Sequence, residues 1–134
     1  MKTLRFLFTI ILFSGIFSGC FINLDDENPR YGLLFGNVSI GPLCPVEPCN
    51  LSEDFIEEVY EARKIIIYKE DSSTVVGTLD INGNHIYKTN LVPGHYVIDI
   101  NHLGIDHSGD VPKAIAIAAD EVIQLDIDID TGIR

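Results

Sequence analysis

The chain has 134 residues, with nine Lys and Arg against 20 Asp and Glu and a formal net charge of −11 at neutral pH. That length suits one domain with one hydrophobic core. So large an acidic excess argues against nucleic acid as a partner and against a polybasic patch for anionic lipid.

The first 20 residues, MKTLRFLFTIILFSGIFSGC, have the layout of an export signal. Lys2 and Arg5 make a short positive start, Phe6 to Phe17 form an apolar stretch too short to span a membrane comfortably, and Ser18 and Gly19 are small. The stretch Phe17-Ser18-Gly19-Cys20 resembles the lipobox of bacterial lipoproteins, with Phe17 where leucine is usual. The resemblance implies that residues 1–19 are cleaved and that the Cys20 thiol carries diacylglycerol, palmitate being a typical acyl chain. The protein is then lipid-anchored to the cell membrane or outer membrane, with its domain facing the periplasm or exterior. Each buried lipid methylene contributes about 0.8 kcal/mol, so several acyl chains hold a protein firmly without a spanning helix. Cleavage removes two of the nine basic residues and none of the acids, which leaves the mature chain at about −13. Residues 20–30 (CFINLDDENPR) read as the acylated terminus and a polar tether, and residues 31–134 as the domain.

Cys44 and Cys49 follow in GPLCPVEPCN. With Cys20 assigned to lipid they remain as an even pair in an exported protein, where disulfides persist. A zinc site needs four ligands, and no further Cys or His lies near them in sequence. A redox motif has two intervening residues beside a βαβ pattern, whereas four separate this pair. A disulfide staple is expected, contributing about 2 kcal/mol for so short a loop.

The domain itself reads as short strands between turn signals. Leu34, Gly36, Val38 and Ile40 alternate with Phe35, Asn37 and Ser39. After the cysteine loop, Asn50 with Glu53 resembles a capping box, and Phe55, Ile56, Val59 and Tyr60 recur at helical spacing, predicting a helix of two or three turns. Further strands are predicted at Lys64 to Tyr68, Val75 to Leu79, His85 to Tyr87 after the Asn82-Gly83-Asn84 turn, and His95 to Asn101 after Pro93-Gly94. Lys113 to Ala118 and Val122 to Ile129 complete the set, expected to pair through a turn at Ala119 to Glu121. In the last strand Ile123, Leu125, Ile127 and Ile129 oppose Gln124, Asp126, Asp128 and Asp130. Seven strands with one short helix and no βαβ alternation predict an all-β, antiparallel two-sheet sandwich, transthyretin-like or Ig-like in architecture.

The order Gly36-x-Val38, Val76-Gly77-Thr78-Leu79, Gly83-x-His85-x-Tyr87 and Leu91-x-Pro93-Gly94-x-Tyr96-x-Ile98 resembles the carboxypeptidase regulatory-like domains. These belong with the transthyretin-like (prealbumin-like) β-sandwiches, which include stalk domains of bacterial adhesins, and the resemblance covers roughly residues 32–130. It implies a non-catalytic binding or spacer module. The hydroxyisourate hydrolases of this group end in tyrosine-arginine-glycine-serine. This chain ends Asp130-Thr131-Gly132-Ile133-Arg134 and lacks that motif. Residues 32–40 contain no lysine, so the isopeptide bond common in adhesin stalks is not expected.

Candidate chemistry is sparse. His102, Asp106, His107 and Asp110 share one loop and offer donors for a transition metal, but their spacing fits no standard motif. His85 and His95 read as surface or cross-strand residues. Asp126, Asp128 and Asp130 lack the glycine and distal glutamate of a calcium loop and read as a solvated strand face that deters edge pairing. The acids of the helix, Glu53, Asp54, Glu57, Glu58 and Glu61, read the same way. No nucleophile has an evident base partner, and no enzyme activity and no cofactor are expected. The leading expectation is a membrane-anchored envelope lipoprotein serving as a binding or structural module, with a protein or carbohydrate partner met through the disulfide loop and the His102–Asp110 loop. The alternative is a metal- or small-ligand-binding envelope protein using the latter loop.

Overall fold

The computed structural model describes residues 29–46 and 48–134. Cys20 and residues 1–19, where a cleaved leader is expected, therefore lie outside the described residues. Within them the chain runs β1 (Gly32–Gly41), α1 (Glu53–Glu61), β2 (Lys64–Lys69), β3 (Val75–Asp80), β4 (Ile86–Leu91), β5 (Gly94–Ile100), β6 (Lys113–Ile117), β7 (Val122–Gln124) and β8 (Ile127–Asp130). Among the described residues no helix is long and apolar enough to cross a membrane.

The strands form two sheets, as expected of an all-β sandwich. One has the order β3-β2-β5-β6, antiparallel throughout. In the other, β1 pairs with antiparallel β4 on one side, and on its other side with β7 and then β8. Two expectations are corrected here. The last two segments of the chain do not pair through the 119–121 turn: β6 adds to β5, while β7 and β8 cross to the opposite sheet and run parallel to β1. Hydrophobic alternation shows which face of a strand is buried and leaves its neighbour open. The strand predicted as unbroken from Val122 to Ile129 is also two strands, making eight among the described residues.

The break has a local cause. At Leu125 the ladder still holds, its N–H donating to the Phe35 carbonyl at 2.9 Å. The Leu125 carbonyl then turns out of the ladder, over Gly36, and accepts the Tyr87 hydroxyl at 2.5 Å. A Cβ on Gly36 would sit 1.8 Å from that oxygen, so only glycine fits. With the carbonyl diverted, the N–H of Asn37 donates instead to the Asp126 carboxylate at 2.8 Å. A side chain thus replaces one backbone rung and lets the strand resume as β8.

The core lies between the sheets. Leu34, Val38, Tyr87, Ile127 and Ile129 face Ile65, Ile67, Ile98, Ile100 and Ile117, all buried. Each such side chain contributes roughly 1.5–3 kcal/mol on burial. The helix closes one end by inserting Tyr60, with Ile56 and Val59 packed beside it, while Phe55 stays exposed. Its N-cap is Ser52, whose Oγ accepts the Phe55 N–H at 3.2 Å, and not Asn50. The helix starts where a short acceptor lies three residues before a free N–H, and Ser52 meets that condition two residues closer to the apolar stripe.

Candidate binding surface at one end of the sandwich

Strand β1 gives the domain two unlike ends. Its 10 residues span about 30 Å at about 3.3 Å per residue. At the entry end, beside Tyr31, the connections are tight: Glu70–Thr74, Val92–Pro93 and Ala118–Glu121. At the exit end lie the cysteine loop, α1, the Ile81–His85 turn, the Asn101–Pro112 loop and the C-terminus. Pairing places them together, since Gly41 sits opposite Asp130, Lys64 opposite Asp80, and Ile65 opposite Ile100.

Cys44 and Cys49 are joined in a disulfide. The loop they close is fixed to the C-terminus, where the Thr131 hydroxyl donates to the Pro42 carbonyl and the Thr131 N–H to that of Gly41 at 3.1 Å. The His102–Asp110 loop lies on the other side of the same segment. His107 and Asp130 exchange backbone hydrogen bonds at 3.0 and 2.8 Å, and the Asp110 carboxylate accepts the Asp128 N–H at 2.9 Å. This loop therefore covers the free edge of β8, the strand end most open to pairing with another chain. The two loops singled out in the sequence thus share one end of the molecule.

The four candidate ligands of that loop do not converge. Asp106 is buried in a bidentate pair with Arg63, Nε to Oδ2 at 2.8 Å and Nη2 to Oδ1 at 3.1 Å. Arg63 also donates to the Val59 carbonyl at 2.9 Å, which ties the loop to the end of α1. His102 lies with Nε2 3.3 Å from Asp99 and Nδ1 3.2 Å from the Asp106 carbonyl. His107 Nδ1 is 4.0 Å from Asp130, and the Asp110 carboxylate serves the β8 edge. Among the described residues no three His, Cys, Asp or Glu side chains are grouped to hold a metal ion.

Of the aspartates of the last strand Asp126 and Asp128 are exposed and Asp130 is half-buried, and all three are engaged. Asp126 accepts from Asn37 and Gln124, and Asp128 accepts from the Ser39 hydroxyl at 2.6 Å. Asp130 accepts from Arg134 and the Gly132 N–H. These donors hold Asp126 below the usual carboxylate range, through the Asn37 N–H above all, and Asp130 at about 2, through Arg134 first.

A cleft of about 680 Å³ opens between α1 and the β3–β4 turn. Glu53, Glu57 and Glu61 form one side, four residues apart on one helical stripe, and Asp80, Asn82 and Gly83 form the other, with Lys64 also in the lining and paired to Asp80 at 2.7 Å. Apolar Ile56 and Ile81 line it between them. At its inner wall the rings of Tyr60 and His85 stack 3.7 Å apart and 3° from parallel. His85 adopts a left-handed backbone (φ 61°), which puts its ring on Tyr60. The turn that carries it is fastened by Asn82, whose side-chain oxygen accepts the N–H groups of Asn84 and Ile86 at 3.0 Å each. Burial raises the Tyr60 phenol above its ordinary value. In the sequence this site is hidden: Tyr60 reads as core, His85 as surface, and the glutamates as solvated. The one linear signal for it is the spacing of the three glutamates beside Tyr60.

No family model matches the chain, and no curated protein does. Among solved structures it is similar to the crystal structure of a minor pilin of the gram-positive pathogen Streptococcus agalactiae, with TM-score 0.50 and 12% identity over 75% of this chain. It also matches a DUF3823 family protein from Parabacteroides merdae, with TM-score 0.39 and 11% identity over 76% of this chain. This chain spans 44% of the first structure and 47% of the second. The likeness to the first extends to the fold alone and leaves function to the site.

Proposed function

We propose that the protein is a membrane-anchored cell-envelope lipoprotein whose sandwich is a non-catalytic binding or structural module of the carboxypeptidase regulatory-like kind. It is held by lipid on Cys20 and presents the exit end of β1 to a protein or carbohydrate partner. The observation that carries this reading is the polarity of the domain. The tether enters at the end with tight turns, and the cysteine loop, the helix, the cleft and the Asn101–Pro112 loop all gather about 30 Å away at the other. An anchor at residue 20 then points that end away from the bilayer. The resemblance of Phe17 to Cys20 to a lipobox supports the anchor, and the sandwich likeness to a minor pilin supports a surface role.

Metabolic labelling with a fatty acid tests it. The full chain is expected to take up label and sediment with membranes, and Cys20→Ser to lose both. Absence of label in the unaltered chain would sink the anchored reading. The metal-binding alternative is tested by calorimetric titration with zinc, copper and calcium. Heat that disappears in His102→Ala/His107→Ala would revive it.

A further inference from the structure

We infer that the cleft between α1 and the β3–β4 turn is a recognition pocket for a basic side chain, lysine or arginine, on an exposed segment of a partner protein. The inference rests on the binding-module reading and names the chemistry of the partner.

The helix is poorly arranged for its own stability. Glu53, Glu57 and Glu61 stand at i, i+4 and i+8, two like-charge pairs that each cost about 0.2–0.5 kcal/mol in an isolated helix. Glu61 adds a negative charge in the last turn, where the helix dipole disfavours it, and no basic residue occupies that turn. Among the described residues none of the three glutamates has a cationic partner within salt-bridge distance. Arg63 is nearby but is committed to Asp106, and Lys64, itself part of the cleft lining, is held by Asp80 at 2.7 Å and leaves the three glutamates unpaired. A cation entering the cleft relieves both the mutual repulsion and the unfavourable end charge.

The shape of the cleft selects among cations. Ile56, Ile81 and the Tyr60–His85 stack give it an apolar inner surface, and the carboxylates stand at its rim. A hydrated metal ion gains nothing from that floor. A lysine or arginine side chain has an aliphatic stem to lay on it and a charged head to raise to the glutamates. The volume of about 680 Å³ suits one or two side chains with part of a backbone. The mature chain's charge of about −13 also favours encounter with a basic partner.

The test is fluorescence anisotropy at low ionic strength on the full chain in neutral detergent micelles. The probes are a labelled peptide alternating lysine and glycine and the same peptide with glutamine for lysine. The lysine peptide is expected to bind and to shift the ring resonances of His85, and the glutamine peptide to do neither. Glu57→Gln/Glu61→Gln should weaken binding about tenfold, while Asp54→Asn/Glu58→Gln, which removes equal charge elsewhere on the helix, should change it by less than about twofold. Equal losses in the two double variants would mean bulk charge attraction and would overturn the pocket. Failure of the lysine peptide to bind would overturn it too, as would binding of spermidine at the His85 ring without the peptide. None of these readouts involves Cys20, so failure here leaves the anchor standing, and failure of lipid labelling leaves the pocket standing.

Discussion

At the scale of single residues, the decisive group is the knot of Gly36, Tyr87, Leu125 and Asp126. Each member compensates for another: glycine makes room for a carbonyl, a phenol satisfies that carbonyl, and a carboxylate fills the rung the carbonyl left. Tyr87 is also a core residue, 1% exposed, so its hydroxyl is buried with its partner. Tyr87→Phe keeps the packing and removes the donor, and a loss of about 1–3 kcal/mol is expected in urea unfolding. Gly36→Ala forces β1 and the β7–β8 connection apart and should cost at least as much, about 1–3 kcal/mol or more. If either variant unfolds at the same denaturant concentration as the parent, the knot is not what shapes the last strand. The alternation of Ile123 to Ile129 was legible in the sequence, but the knot was not. Its partners are 36 to 126 in a line of residues whose spacing carries no period, and only strand pairing sets them side by side.

At the scale of elements, α1 and the Asn101–Pro112 loop behave as one unit through Arg63 and Asp106. The side chains are 13% and 4% exposed and bonded bidentately, so removing either partner strands a charge in a poorly hydrated site. Arg63→Met or Asp106→Leu alone is expected to cost about 3–5 kcal/mol, and the double variant distinctly less than the sum. A double-mutant cycle by chemical denaturation measures this. Strict additivity would show that the helix and loop are stabilised separately. The sequence shows Asp106 in a loop rich in metal-type donors. What it could not supply is that an arginine from the end of a helix reaches the same point first. The helix boundary shows the same limit: Asn50 and Ser52 are both good caps, and the docking of Tyr60 into the core decides which of them begins the turn.

At the scale of the whole molecule, stability and charge are linked through pH. Asp71, Asp126 and Asp130 are all held below the ordinary carboxylate value of 3.8. The causes are local donors: the Thr74 hydroxyl and N–H for Asp71, the Asn37 N–H for Asp126, and Arg134 for Asp130. For a depressed acid the folded state binds its proton more weakly than the unfolded chain. Its stabilisation is therefore fully present above the unfolded value and is lost as pH falls through the folded one. Thermal unfolding followed by circular dichroism should give a melting temperature that drops as pH falls below about 4, towards the Asp130 value of about 2. Asp130→Asn should make that drop shallower; an unchanged slope would count against its role. The sequence by itself determined the all-β class, the buried faces of β1 and of the last strands, the short helix after β1 and the acidic balance, because these follow from local periodicity and composition. It also set the cysteines within reach of each other, five positions apart, where chain proximity alone makes a closed loop accessible. Only the tertiary structure decided that the last strands join β1 in parallel, that the two marked loops meet at one end, and that three glutamates border a cleft walled by stacked Tyr60 and His85. Those are contacts between residues far apart in the chain, and the alternation that buries a strand carries no information about which strand lies beside it.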